Sequence, residues 1–269
     1  MSRGYWKRVT CRDLTWGVVP PGFKKVRDGR GGLMIVREDI EQFFSLAECA
    51  RGNDRYDPGL IGFQGRARLT ALKLRNGDTA LIRPYRHGGL FRHLLRGIFF
   101  TWPPRPFREL AITEEVRRRG IPTVAVLAAC VKRIWGPFYC GWLVTRQLEG
   151  SQDLWAVIRD DFVRQTGAEK VFSAVADSLR RLHRAGIYHR DLNLKNILVR
   201  CETDAVKGYI IDFDRAELFL GEVPMILVQR NLDRLLRSAM KLDPKREVLS
   251  ARAWKRFVDA YHGNDAGEP

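Results

Sequence analysis

Apolar positions fall in short strand-like runs in the first half of the chain and recur at helical spacing in the second. The first sixty residues mix Gly, Pro and charge with brief apolar runs such as Leu33-Met34-Ile35-Val36. From Gly62 the pattern sharpens. A glycine-marked segment, Gly62-Phe63-Gln64-Gly65-Arg66-Ala67, precedes Leu69-Thr70-Ala71-Leu72-Lys73-Leu74, the turn signal Asn76-Gly77-Asp78 and the run Ala80-Leu81-Ile82-Arg83. That order predicts a strand, a second strand, a tight hairpin turn and a third strand. Leu90, Phe91, Leu94, Leu95 and Ile98 then share one helical face with Arg92, His93 and Arg96 opposite, which predicts a basic amphipathic helix up to Phe99, closed by Pro103-Pro104. A new helical pattern runs from Phe107 to Gly120, and Thr123 to Val131 and Gly141 to Thr145 read as strands.

Beyond Gly150-Ser151 the period changes. Phe172, Val175, Leu179 and Leu182 form one stripe that stops at Gly186, as expected of a long helix with a glycine C-terminal stop. A loop follows from Tyr188 to Asn196. Ile197-Leu198-Val199 and Tyr209-Ile210-Ile211 read as short strands, and Leu232 to Met240 and Ala251 to Tyr261 as closing helices. The change at Gly150 divides the chain into an N-terminal lobe, 1–149, preceded by an extension over 1–60, and a C-terminal lobe, 150–269. No internal repeat or low-complexity tract is visible.

The 269 residues, 45% of them hydrophobic, can build one large domain or two small lobes. A formal charge of +16 draws in anions such as nucleotides, phosphorylated sugars, nucleic acid or an acidic membrane surface, without choosing among them. The five cysteines, Cys11, Cys49, Cys130, Cys140 and Cys201, are odd in number and form no Cys-x-x-Cys pair, so a reducing compartment is expected. Met1 to Thr10 is basic but leads into Cys11-Arg12-Asp13 rather than an apolar run, so no secretory signal is expected. The best apolar stretch, Val124 to Val131, is far below the ~20 residues that span a bilayer.

His189-Arg190-Asp191-Leu192-Asn193-Leu194-Lys195-Asn196 matches the kinase catalytic-loop signature H-R-D-L-x-x-x-N at every fixed position. In that signature the Asp at the apex takes the proton of the incoming hydroxyl, and the Asn turns back to a magnesium ion on the nucleotide phosphates. Ile211-Asp212-Phe213-Asp214 stands where a kinase carries its metal-binding Asp-Phe-Gly, with Asp214 in place of the glycine. Asp191 is thus the candidate catalytic residue, and Asn196 and Asp212 are the candidate Mg²⁺ ligands. Asp214 either assists the metal or holds Arg215. Lys195 either sets its ammonium on the transferring phosphate or lies solvated at the surface. Gly62 and Gly65 would let backbone amides approach the phosphates of ATP, although Ala67 replaces the third glycine of a full loop. Arg83 occupies the place of the third-strand lysine and would grip the α- and β-phosphates bidentately. Glu109 is its expected partner, with Glu114 and Glu115 as competitors. The fold expected is α+β and protein-kinase-like: a bilobal chain with a small antiparallel sheet and helices in its N-lobe and a reduced, mainly helical C-lobe.

The sequence resembles the lipopolysaccharide kinase family. The residues that carry the likeness are Ile82-Arg83-Pro84-Tyr85-Arg86-His87-Gly88-Gly89, Arg105-Pro106-Phe107-Arg108-Glu109, Gly120-Ile121-Pro122-Thr123, Tyr188-His189-Arg190-Asp191-Leu192-Asn193 and Ile211-Asp212-Phe213-Asp214-Arg215. In that family the strand arginine and the D-F-D ending are regular features. The resemblance implies transfer of the ATP γ-phosphate to the 4-hydroxyl of a 3-deoxy-D-manno-octulosonic acid (Kdo) residue on a lipid A precursor, in lipopolysaccharide core biosynthesis. It further implies peripheral attachment at the cytoplasmic face of the bacterial inner membrane. Arg86, His87, Arg92, His93, Arg96, Arg105 and Arg108 would attract such an anionic substrate and leaflet, and Phe91, Ile98, Phe99, Phe100 and Trp102 would enter the interface or pack on the sheet. The short stretch after Asp212 lacks an A-P-E segment and leaves little room to dock a peptide. Nucleic acid is not an expected partner. The alternatives are an atypical protein or small-molecule kinase, and a kinase fold without turnover that binds acidic lipid or nucleic acid.

Overall fold

The computed structural model describes residues 8–9, 19–51, 69–86, 97–159, 168–202 and 205–263. The chain divides into two compact units: one comprises Met1–Thr10, Val116–Thr123 and Glu149–Pro269, the other Cys11–Glu115 and Val124–Leu148. A two-residue strand, β1 (Arg8–Val9), belongs to the first.

Among the described residues the second unit is built on a six-stranded antiparallel sheet. Its strands are β2 (Phe23–Arg27), β3 (Gly32–Arg37), β4 (Thr70–Lys73), β5 (Thr79–Pro84), β6 (Val126–Trp135) and β7 (Phe138–Arg146), in the order β2-β3-β6-β7-β5-β4. Alternation along each strand gives the sheet two apolar faces. Met34, Val36, Ala128, Cys130, Ile82 and Val144 join a cluster with Ile40, Phe44 and Cys49 from the short helical stretch that follows β3, which ends in α1 (Leu46–Arg51). Ile35, Ala129, Val131 and Leu143 pack on the other side with Leu110 of α2 (Arg105–Arg118). The predicted hairpin is present: Thr70 pairs with Ile82 and Lys73 with Thr79, and the Leu74 amide donates to the Asp78 carbonyl across the turn at 2.8 Å.

One expectation is corrected in this unit. The helix predicted from Leu90 to Phe99 falls mostly outside the described residues, but its C-terminal end is not helical. Gly97 has φ of 83°, and Phe99 makes an antiparallel bridge to Tyr139. Phe99 is thereby buried against the sheet, edge-on to the Tyr85 ring and tilted against the Tyr139 ring. Cys49 and Cys130, both fully buried, form a disulfide across a sequence separation of 81 that leaves no spacing signal.

The first unit is mainly helical. Among the described residues its helices are α3 (Leu154–Arg159), α4 (Ala168–Arg184), α5 (Met225–Leu242) and α6 (Ala251–His262). Two three-stranded sheets accompany them. One joins β8 (Ser151–Asp153), β10 (Ile197–Cys201) and β11 (Val206–Ile210); the other joins β1, β9 (Ile187–Tyr188) and β12 (Glu217–Phe219). The apolar stripe of α4, Phe172, Val175, Leu179 and Leu182, is buried as its 3.6-residue period requires. Ser178 on that helix donates to the Gly208 carbonyl of β11 at 2.8 Å. At the helix end Gly186 adopts φ of 76°, and a Cβ there would collide with the carbonyl oxygens of Phe219 and Gly221. Only glycine lets the chain turn this tightly from α4 into β9 and the loop beyond. Among the described residues no helix is long and apolar enough to cross a membrane.

Candidate active site

In the helical unit the segment His189–Asn196 runs from β9 to β10, and its backbone is held at several points. Asn196 donates through Nδ2 to the Asp191 carbonyl at 2.9 Å, which closes the loop on itself. Asn193 also donates to that carbonyl, at 3.0 Å, and its side-chain oxygen caps the short turn at Leu194–Asn196 by accepting from the Lys195 amide. The Ile211 amide donates to the Asn196 carbonyl at 3.0 Å, so the residue before Asp212 lies beside the far end of the loop. Asp212 itself has φ of 68°, a left-handed conformation uncommon for a residue with a side chain and a frequent mark of a functional position. Asp191 is exposed, Asn196, Lys195 and Asp212 are half-buried, and Asp214 is buried. Arg190 pairs with Glu217 at 3.0 Å.

His189 lies beneath the loop, 1% exposed. Its Nε2 donates to the Ile211 carbonyl at 2.9 Å, so Nδ1 accepts, from the Asp191 amide at 3.3 Å. One neutral imidazole thus ties the backbone of the catalytic-loop Asp to the residue before Asp212. Burial holds its pKa below the ordinary histidine value, with only partial opposition from the Ile211 carbonyl and the charges of Asp212 and Asp191.

Sequence reasoning missed the groups behind His189. Asn231 of α5, fully buried, donates to the His189 carbonyl at 2.8 Å. Ser238, two turns along the same helix, accepts from the Leu194 amide at 3.3 Å. His183 near the end of α4 reaches Asn231 Oδ1 through Nε2 at 3.0 Å and the Tyr261 hydroxyl of α6 through Nδ1 at 2.7 Å. The only available signal was a polar residue inside an apolar helical pattern: Asn231 sits directly before Leu232.

In the sheet unit Arg83 projects from β5 and pairs with Glu109 of α2 at 2.5 Å. Glu109 is 1% exposed, and its second oxygen accepts from the buried Tyr85 hydroxyl. Glu109, rather than Glu114 or Glu115, is therefore the acid on Arg83. The guanidinium also lies 5.1 Å from the Tyr85 ring centroid. A buried carboxylate without a cation would be costly, so the pair fixes Arg83 in one attitude. Gly62 and Gly65 lie outside the described residues, as do His87, Arg92, His93 and Arg96.

The family profile described as lipopolysaccharide kinase (Kdo/WaaP) matches residues 63–261. A 3-deoxy-D-manno-octulosonic acid kinase of Pasteurella multocida (strain Pm70) is 30% identical over 74% of this chain and 82% of its own length. One from Xylella fastidiosa (strain M12) is 32% identical over 81% of this chain and 84% of its own. A solved structure described as WaaP in complex with acyl carrier protein superposes with a TM-score of 0.55 at 18% identity, covering 86% of this chain and 88% of that one, a likeness of fold. The profile takes in the catalytic loop, Asp212 and the Arg83–Glu109 pair together. The chain therefore belongs to the lipopolysaccharide kinase (Kdo/WaaP) family and is an ATP-dependent phosphotransferase of kinase-like α+β fold.

Proposed function

We propose that this kinase phosphorylates the 4-hydroxyl of a Kdo residue on a lipid A precursor, with ATP and Mg²⁺, at the cytoplasmic surface of the inner membrane. The observation that carries the acceptor is the name shared by the relatives, which align over most of both chains at 30% and 32% identity. Family membership favours this reading over a protein or small-molecule acceptor and over a fold without turnover.

Asp191, at the exposed apex of a loop braced from below, takes the proton of the acceptor hydroxyl as the γ-phosphate is transferred. Asn196 spends its nitrogen on the Asp191 carbonyl, which leaves its amide oxygen as a candidate metal ligand, and Asp212 offers a carboxylate. These hard oxygen ligands suit Mg²⁺, which is commonly held by one or two protein groups plus phosphates and water. Among the described residues no cluster of three His, Cys, Asp or Glu comes together, and such an ion does not need one. When bound, it would neutralise charge on the β- and γ-phosphates. Lys195 adds an ammonium for the transferring group. Arg83, oriented by Glu109, grips the α- and β-phosphates; Gly62 and Gly65, the glycines expected to serve the phosphates, lie outside the described residues.

Membrane contact is supported by an aromatic surface on the sheet unit. Trp135, Phe100 and Trp102 are 75%, 67% and 76% exposed, and Ile134 and Phe138 lie beside the same β6–β7 turn. Phe138 stacks against Trp135 and tilts against Phe100, with centroids 6.1 and 5.6 Å away. Lys132 and Arg133 are exposed on the same hairpin. Exposed aromatics rimmed by cations suit an anionic lipid interface. The test is incubation with γ-labelled ATP and lipid A precursors that carry or lack Kdo. Label is expected only on the Kdo-bearing acceptor; label on the Kdo-free precursor, or none on either, contradicts the reading.

A further inference from the structure

Behind the catalytic loop lie three buried polar side chains that the chemistry above does not use, Asn231, His183 and Tyr261, at 0%, 3% and 7% exposure. Their hydrogen bonds fix one another's roles. The His189 carbonyl can only accept, so the Asn231 amide nitrogen faces it, and Asn231 Oδ1 faces His183. His183 Nε2 must then carry the hydrogen, and Nδ1 must accept from the Tyr261 hydroxyl. Each polar side-chain atom along this path has a hydrogen-bond partner, from α6 through α4 and α5 to the backbone of the H-R-D segment. The path does not stop at the carbonyl, because the His189 ring supports the Asp191 amide and the Ile211 carbonyl. Ser238, seven residues after Asn231 and so on the same helical face, holds the Leu194 amide on the other limb of the loop. Helix α5 thus touches the loop backbone on both sides of Asp191.

Core packing alone does not call for this arrangement. Neighbouring core positions on the same helices, Leu179, Leu182, Leu232 and Leu235, are aliphatic, and buried polar groups are tolerated only when fully partnered. What the polar path adds over an aliphatic one is direction. A hydrogen bond fixes the angle of the peptide it meets, and apolar contact does not.

We propose that Asn231, His183 and Tyr261 are positioning residues that set the attitude of the His189–Asp191 backbone, so that the Asp191 carboxylate is presented in one orientation. The inference rests on the reading that Asp191 receives the acceptor proton. A small misplacement of such a group costs turnover while leaving nucleotide binding nearly intact, since the nucleotide does not touch the relay.

The test compares kcat, the KM for ATP and the unfolding temperature of the full chain across a set of variants, with a Kdo-bearing lipid A precursor as acceptor. Asn231→Leu and His183→Leu should lower kcat by about 10- to 100-fold, the range typical of lost supporting hydrogen bonds at a site, with the ATP KM changed by less than about twofold. His183→Gln keeps an N–H donor toward Asn231 and should recover most of that loss. Tyr261→Phe deletes only the outermost hydrogen bond and should cost a few-fold, roughly, on the same grounds. Leu235→Ala in the apolar part of α5 is the control: at an equal fall in unfolding temperature it should keep its kcat. Parent-like kcat in Asn231→Leu, or in Tyr261→Phe and His183→Leu should Asn231→Leu not fold, overturns the relay. So does a loss in Leu235→Ala as large as that in the relay variants. An inactive Asp191→Ala beside an unimpaired Asn231→Leu sinks the relay alone, whereas an active Asp191→Ala sinks both the relay and the catalytic assignment.

Discussion

A buried carboxylate keeps its charge only if something answers it, and Glu109 is answered by Arg83 and by Tyr85. Arg83→Ala should therefore do two separable things. It removes the cation proposed for the α- and β-phosphates, raising the ATP KM, and it takes the guanidinium away from a Glu109 carboxylate held at 1% exposure, destabilising the fold by about 3 kcal/mol. Titration calorimetry and denaturant unfolding check the two effects. Unchanged ATP affinity would remove Arg83 from the nucleotide site. Glu109→Gln keeps a hydrogen-bonding partner but loses the charge, and should raise the ATP KM about tenfold, equivalent to about 1.4 kcal/mol. His183 supplies a pH prediction. Burial pushes its pKa down to about 4, against 6.5 for a free imidazole, with the Asn231 bond opposing only in part. As pH falls below 6.5 the unfolded chain takes up the proton first, so stability is present above that pH and is lost progressively toward pH 4, by about 3 kcal/mol at most. His189 is shifted in the same direction and adds to the loss. Unfolding curves between pH 7 and 4 should show it, and His183→Gln should flatten the profile. At this scale the sequence showed what lies close together along the chain. His189, Asp191, Asn196 and Asp212 stand at fixed spacings set by one loop and one strand end. Asn231, His183 and Tyr261 become neighbours only through three helices, so no local spacing announces them.

The elements follow from period and punctuation. The α4 stripe and its Gly186 stop were legible, because amphipathic spacing and a left-handed glycine each have a direct sequence mark. The β4–β5 hairpin was legible for the same reason, through Asn76-Gly77. Gly186→Ala should cost about 2 kcal/mol or more, since it adds left-handed strain to a collision with two carbonyls. Thermal unfolding checks this, and an unchanged midpoint would mean the turn can relax. What the pattern could not reveal was pairing. Ile98 and Phe99 continue a helical stripe on paper, but Phe99 finds an edge partner in Tyr139, where aromatic packing outweighs local periodicity. The run Leu33–Val36 was visibly apolar, but its place between β2 and β6 depends on residues almost a hundred positions away. The Cys49–Cys130 link depends on the same long-range register.

At the scale of the whole molecule, a charge of +16 and an aromatic hairpin rimmed by Lys132 and Arg133 predict binding to anionic vesicles that weakens with salt. Co-sedimentation with vesicles containing phosphatidylglycerol should exceed that with neutral vesicles. Trp135→Ser with Phe138→Ser should weaken it several-fold, roughly, while leaving turnover on a detergent-dispersed acceptor intact. Equal binding to neutral and anionic vesicles would detach the basic rim from the mechanism. The central claim, that Asp191 receives the proton of a Kdo hydroxyl during transfer from ATP, is tested most directly by one comparison. Mass spectrometry of a Kdo-bearing lipid A precursor incubated with ATP and either the parent enzyme or Asp191→Ala, with ATP affinity measured for both, joins reaction, acceptor and residue in one result. The account predicts one added phosphate on the Kdo-containing fragment with the parent enzyme, a rate lower by at least about 10³-fold with Asp191→Ala, and similar ATP affinity in the two. Phosphate on another part of the acceptor, or normal turnover by Asp191→Ala, would contradict it.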